Sequence, residues 1–289
     1  MEDWMFYGRD GDDRLGIVGY LAVCAGALLL LYLLAVKPAA AVRVAEAKRE
    51  VRYYAHRGLY DNSRDVPENS MRAFQRALEA GYGMEMDIRL TRDGIPVVFH
   101  DSDLKRMCGA EGRIEDMNWK ELSSYRLLQT DQGIPRFEDV LALVDGKVPL
   151  LIEYKMDSND ASICICAERL LNRYRGKYCV ESFHPFALLW YRHNQPGMLR
   201  GMLSTDYAGN KEHSLALLHF MSRHLLFNFF TKPDFISYDC RVEREISRTL
   251  CRKLYRSCLA AWTVKSREQL EQLKQRGEYD WFIFEGFRP

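Results

Sequence analysis

From about residue 51 to the C-terminus, short apolar runs alternate with segments of helical period. Runs at 52–56, 83–87, 149–154, 178–183, 199–204, 235–239, 258–264 and 280–285 read as strands. Between them, apolar residues at helical spacing predict helices over 70–80, 160–175, 185–193, 213–230, 243–254 and 266–276. The longer segment 103–148 holds a predicted helix at 137–144 with irregular structure before it. Eight strand–helix units in one domain predict an α/β fold, a (β/α)8 TIM barrel, whose usual size is about 250 residues. A doubly wound open sheet is the alternative, but no glycine-rich turn follows the first strand to support it.

The run Leu15–Val36, LGIVGYLAVCAGALLLLYLLAV, breaks the alternation: it is 22 residues without a charge. A helix of that length crosses about 30 Å of hydrocarbon. The charged residues before it are mostly acidic, whereas a cleavable signal starts with positive charge. The segment is therefore predicted to be a retained transmembrane helix, after a tail at 1–14 and before a linker or short helix at 37–50. The barrel then occupies 51–289. Lys37, Arg43, Lys48, Arg49 and Arg52 follow the span while Arg9 and Arg14 precede it, which puts the barrel on the cytoplasmic side. Helix 213–230 has two readings, as an ordinary packed barrel helix or as a surface helix whose Phe227, Phe229 and Phe230 reach the membrane interface.

A net charge of +1 over 289 residues gives no reason to expect nucleic acid. Of eight cysteines, Cys24 lies in the span and the other seven show no disulfide-framework spacing.

One run departs from the strand–helix pattern. MEMDIRLTRDGIPVVFHD has two strand-like halves around Asp93-Gly94, a strong hairpin signal. A two-residue turn there sets Arg92 against Ile95, Leu90 against Val97 and Asp87 against His100. Period two puts Glu85 on the Asp87 face. Two carboxylates and an imidazole are thus predicted to share one patch.

The C-terminal ends of the first strands, where barrel active sites sit, concentrate polar residues. The first strand offers His56 and Arg57, the second Glu85 and Asp87, and the third Glu153 and Lys155. Acids inside apolar strands are costly unless paired or metal-bound. Three carboxylates suit one hard divalent cation, magnesium or calcium. Two histidines suit proton transfer near neutral pH, while Arg57 and Lys155 suit an anionic substrate. Together they describe phosphodiester hydrolysis. Singly, each has a plainer reading, a strand stop at His56 or a same-face ion pair at Glu153 and Lys155.

The motifs AHRG, PENS with AFQRALEAG, EMDIRLTRDGIPVVFHD, GIPRFEDVL and LLIEYK, followed by ESFHPFALLWYR and AWTV, resemble the glycerophosphodiester phosphodiesterase family from about Val51 onward. That resemblance implies a phospholipase-C-like phosphodiesterase barrel that hydrolyses glycerophosphodiesters to glycerol 3-phosphate and an alcohol with a divalent cation. It implies His56 and His100 as the acid/base pair, and Glu85, Asp87 and Glu153 as metal ligands. Arg57, Lys155, Glu68 and Trp262 then correspond to substrate and phosphate binding. Lys265, Glu285 and Arg136 depart from the family pattern, at positions expected in the alcohol pocket or the barrel floor. The anchor adds a second enzymatic expectation, a lysophospholipase D acting on lysolipids. A third, of another class, is a tethered barrel that binds phosphodiesters without turnover.

Overall fold

The structure, a computed structural model, describes residues 9–47, 51–206 and 216–289. Eight parallel strands close a barrel: β1 (Tyr53–Ala55), β2 (Gly83–Leu90), β4 (Leu150–Tyr154), β5 (Tyr178–Ser182), β6 (Arg200–Ser204), β7 (Phe235–Asp239), β8 (Cys258–Val264) and β9 (Trp281–Phe284). β1 completes the ring by pairing with both β9 and β2. β3 (Pro96–Val98) is added antiparallel to β2. In chain order the described helices are α1 (Arg9–Val36), α2 (Met71–Glu79), α3 (Lys105–Cys108), α4 (Trp119–Leu122), α5 (Phe137–Val144) and α6 (Ser162–Leu171). They continue with α7 (Pro185–Asn194), α8 (Ala216–Arg223), α9 (Asn228–Thr231), α10 (Ile246–Lys253) and α11 (Arg267–Arg276).

Alternation along the strands sorts side chains into two sets. Met84, Met86, Ile88, Ile152, Val180, Met202 and Ile236 pack outward against the helices in the main core. Tyr54, Leu151, Cys179, Phe235, Cys258 and Trp281 fill the interior near its N-terminal end, joined by Val44 from a short 3-10 helix at Ala41–Val44. This floor leaves only the opposite, C-terminal end of the interior open to polar groups.

Three expectations change. The hairpin register is Ile88 to Val98, Arg89 to Val97 and Leu90 to Pro96, one residue away from the two-residue-turn register. The loop is Arg92–Gly94: the Gly94 N–H donates to Thr91 O, and Gly94 sits at φ 76, a conformation open to glycine without strain. Asp87 therefore faces Phe99, whose N–H donates to the Asp87 carbonyl at 2.9 Å. Helix 213–230 is instead two helices, α8 and α9, broken where Leu225 adopts φ 56. Its predicted start at 213–215 lies outside the described residues, as do positions 1–8 of the predicted tail and 48–50 of the linker. Segment 103–136 makes a small core of its own, with Leu104, Met107, Ile114, Leu122 and Leu127 packed on Val97 and Phe99.

Among the described residues, one helix, Gly16–Val36, is long and apolar enough to cross a membrane, with a mean hydropathy of 2.4. Its last turns pack on the barrel, where the Tyr255 hydroxyl donates to Leu33 O at 2.8 Å.

Candidate active site

His56 follows β1 directly, and its approach is set by the next two residues. Arg57 and Gly58 both have positive φ, 53 and 79, turning the chain sharply out of the strand. At Gly58 a Cβ would lie 2.8 Å from backbone of Ala73 in α2, so only glycine fits. That turn aims the Arg57 N–H at Glu85 Oε2, 2.7 Å away.

Each histidine is tied through Nδ1 to its own carboxylate. His56 Nδ1 lies 2.6 Å from Glu285 Oε2, which also accepts from the Tyr60 hydroxyl at 2.8 Å, while Lys265 Nζ sits 2.7 Å from Oε1. His100 Nδ1 lies 2.7 Å from Asp101 Oδ1, and Arg106 Nε holds Asp101 Oδ2 at 2.7 Å. Burial lowers the pKa of both imidazoles and outweighs these carboxylates. The neutral rings then donate from Nδ1 and keep a lone pair on Nε2. His100 reaches the cavity from the turn after β3, not from a position opposite Asp87.

Glu85, Asp87 and Glu153 are buried, and each offers an oxygen within 4.8 Å of the others. Glu85 Oε1, Asp87 Oδ1 and Glu153 Oε1 lack a hydrogen-bond donor of good geometry. The Lys155 ammonium stands 3.0 Å from Asp87 Oδ1 and 2.6 Å from Glu153 Oε1. Burial drives Glu85 well above the carboxylate range, with repulsion from Asp87 and Glu153 adding to it. Burial likewise raises Glu153, to about 7. Asp87 goes the other way because Lys155, His100 and Arg57 outweigh its burial. Unsatisfied buried oxygens and mutual repulsion are what a hard divalent cation would relieve, so the donor set fits one.

Arg57 spans two acids, with Nη1 2.7 Å from Glu68 Oε1 and Nε 3.2 Å from Asp87 Oδ2. Asn69 Nδ2 donates to Asp87 Oδ2 at 2.8 Å. Glu68 also takes Arg106 Nη2 at 2.7 Å and Asn62 Nδ2 at 2.8 Å. It lies buried behind Arg57, outside the residues that line the cavity. Glu68 thus positions Arg57 and, through Arg106 and Asp101, His100.

His56, Arg57, Glu85, His100, Glu153, Lys155 and Trp262 line one cavity of about 330 Å³ at the mouth. Trp262 Nε1 donates to Ser237 O at 3.2 Å, and its ring meets Phe183 edge-on at 5.4 Å. Lys265 and Glu285 line the same cavity, whereas Arg136 caps α5 outside it and pairs with Asp139. Sequence reasoning missed Tyr60, Asp101, Arg106 and Glu181. Glu181 was recoverable in principle, because it sits in register beside Glu153 and faces inward. Burial pushes its carboxyl up to about 8, although Ser237 donates to it.

Residues 56–283 match the Glycerophosphoryl diester phosphodiesterase family. The chain belongs to that family. It is a phosphoric diester hydrolase of glycerophosphodiesters. A glycerophosphodiester phosphodiesterase of Bacillus altitudinis is 29% identical over 165 residues, covering 53% of this chain and 66% of that protein. One from Caldanaerobacter subterraneus is 26% identical over 235 residues, covering 77% and 89%. The structure of an Oleispira antarctica phosphodiesterase in complex with the product sn-glycerol-3-phosphate superposes with a TM-score of 0.66 at 20% identity, over 83% of this chain and 94% of that one, a likeness of fold.

Proposed function

We propose that the barrel hydrolyses glycerophosphodiesters to glycerol 3-phosphate and an alcohol, with His56 and His100 as its acid/base pair, and that α1 anchors it in a membrane. The observation that carries this reading is the pair of imidazoles, each held at Nδ1 by a carboxylate and lining one cavity with Glu85, Glu153, Arg57 and Lys155.

Arg57 and Lys155 draw in the phosphodiester anion and stabilise the added charge as the attacking oxygen closes on phosphorus. One imidazole Nε2 accepts the proton of that oxygen. The other, protonated more readily once the anion is bound, gives its proton to the leaving alkoxide. Glu85, Asp87 and Glu153 would hold a magnesium or calcium ion, which would supply further neutralisation of charge on the phosphoryl oxygens. Trp262 and Phe183 pack against the glycerol or the leaving group. The excess of Lys and Arg after α1 supports a cytoplasmic barrel.

Phosphorus NMR of glycerophosphodiesters incubated with and without divalent metal tests this. Glycerol 3-phosphate is expected only with metal. Metal-dependent binding without turnover would favour the non-catalytic barrel instead. The exposed span favours one further reading, a lysophospholipase D: turnover of glycerophosphocholine with none of lysophosphatidylcholine would exclude it.

A further inference from the structure

The direction of α1 decides which end of the barrel meets a bilayer. The Tyr32 side chain lies near that of Ser247, in the first turn of α10. One turn further along, the Val36 carbonyl accepts from Cys251 Sγ at 3.4 Å and from Asn228 Nδ2 at 2.9 Å. Tyr32 lies near the first turn of α10 and Val36 near its last, so α1 descends along α10, with Tyr255 reaching back from beyond the end of α10 to Leu33 O. Because α10 follows β7, it descends from the mouth toward the floor, and α1 descends beside it. Past Val36 the chain continues the same way. The Ala39 N–H donates to Pro233 O at 2.9 Å, Arg43 pairs with Asp234 at 3.1 Å just below β7, and Val44 is buried in the floor. Followed backward from Tyr32, Gly16–Leu31 extend about 24 Å beyond the mouth.

The rim on this side is apolar and exposed. Phe186 opens α7 after β5, Leu217 and Phe220 lie on α8 after β6, and Ile246 opens α10 after β7. They are 44%, 72%, 54% and 71% exposed. α8 is held at the mouth, since Ser204 Oγ at the end of β6 donates to Ser222 O and the Tyr238 hydroxyl in β7 donates to Arg223 O, both at 2.9 Å. Arg241, Glu243 and Arg244 stand exposed in the loop before α10, a net positive edge suited to anionic headgroups. Phe229 and Phe230, by contrast, lie on α9 shortly before β7 begins, toward the floor.

Length adds an independent constraint. Gly16–Val36 has 21 residues, about 31 Å of helix, which matches the hydrocarbon thickness. The part from Tyr32 to Val36 runs below the rim and uses about 6 Å of it. For the whole apolar stretch to sit in hydrocarbon, the rim must sink by a similar depth, the depth at which interfacial helices bury their apolar faces. A cleft of about 210 Å³ also leads from Glu153 and Lys155, past Phe183, to Leu218 on α8.

We propose that the catalytic mouth faces the bilayer, with Phe186, Leu217, Phe220 and Ile246 seated in the interface. The substrate is then a membrane-resident, single-chain glycerophosphodiester whose acyl chain leaves along the Phe183–Leu218 cleft. The substrate half rests on the phosphodiesterase reading; the orientation half does not.

The full-length chain in phosphatidylcholine nanodiscs tests both halves. A fluorescent residue at position 217 is expected to be quenched several-fold more by nitroxide-labelled lipid than one at 147, near the floor. Equal or reversed quenching overturns the orientation. Replacing Leu217, Phe220 and Ile246 together by Ser is expected to slow lysophosphatidylcholine hydrolysis in the disc by roughly tenfold or more, leaving soluble glycerophosphocholine within about twofold. A parallel change on both substrates, or none on either, overturns entry from the membrane. If the unaltered chain turns over neither diester, the phosphodiesterase reading and the lipid substrate fall together, and quenching still decides the orientation.

Discussion

His56 and Glu285 are 229 residues apart in sequence and joined by a 2.6 Å contact from Nδ1 to Oε2. The carboxylate fixes both the tautomer and the angle of the ring, so Nε2 keeps its lone pair for the cavity.

Glu285→Gln removes that charge while keeping the shape. Turnover should fall by about 10²-fold or more with KM changed little, as for a residue that orients a catalytic imidazole. Glu285 raises the His56 pKa, so the acidic limb of the kcat/KM profile should move to lower pH in the variant. An unmoved limb would show that the pair does not govern proton transfer.

Gly58→Ala should damage stability and activity together. Its φ of 79 and the 2.8 Å approach to Ala73 leave a methyl group nowhere to go. A loss of about 1–3 kcal/mol is expected from the backbone strain, and the displaced Arg57 should raise KM. Urea denaturation beside steady-state kinetics reads both effects.

Glu153→Gln should weaken divalent-cation binding by about tenfold or more. Isothermal titration with magnesium or calcium measures this without turnover. Affinity equal to that of the unaltered chain would remove Glu153 from the ligand set.

Glu68 makes a pH-dependent contribution to stability. Burial raises its pKa, but Arg106, Arg57 and Asn62 bring it down to about 2 from an ordinary 4.5. The folded value lies below the unfolded one, so the contribution is complete above about pH 4.5 and is lost as pH falls toward 2. The stability gap between the unaltered chain and Glu68→Gln should therefore narrow over that window. A gap constant from pH 6 to pH 2.5 would contradict the clamp.

The barrel was legible because short apolar runs alternate with segments of helical period; the run 258–264 read as a strand is β8 residue for residue. Asp93-Gly94 announced the hairpin, but the sequence did not say whether two or three residues form the loop, and one residue displaces His100 from its expected partner. The left-handed turn at Leu225 carried no glycine to mark it. The acids lining the cavity stood out because charge in an apolar strand is costly. Asp101, Arg106 and Tyr60 did not, since their roles depend on contacts between distant loops.

The small core under segment 103–136 has a consequence for how the enzyme fails on heating. Arg106 leaves that core to grip Glu68 and Asp101, and through Asp101 it steadies His100. The lobe holds only a handful of buried side chains beside the barrel's large interior, so it opens first. Catalysis should then be switched off reversibly at temperatures where the barrel's circular dichroism is still intact, making the lobe a thermal fuse for the chemistry.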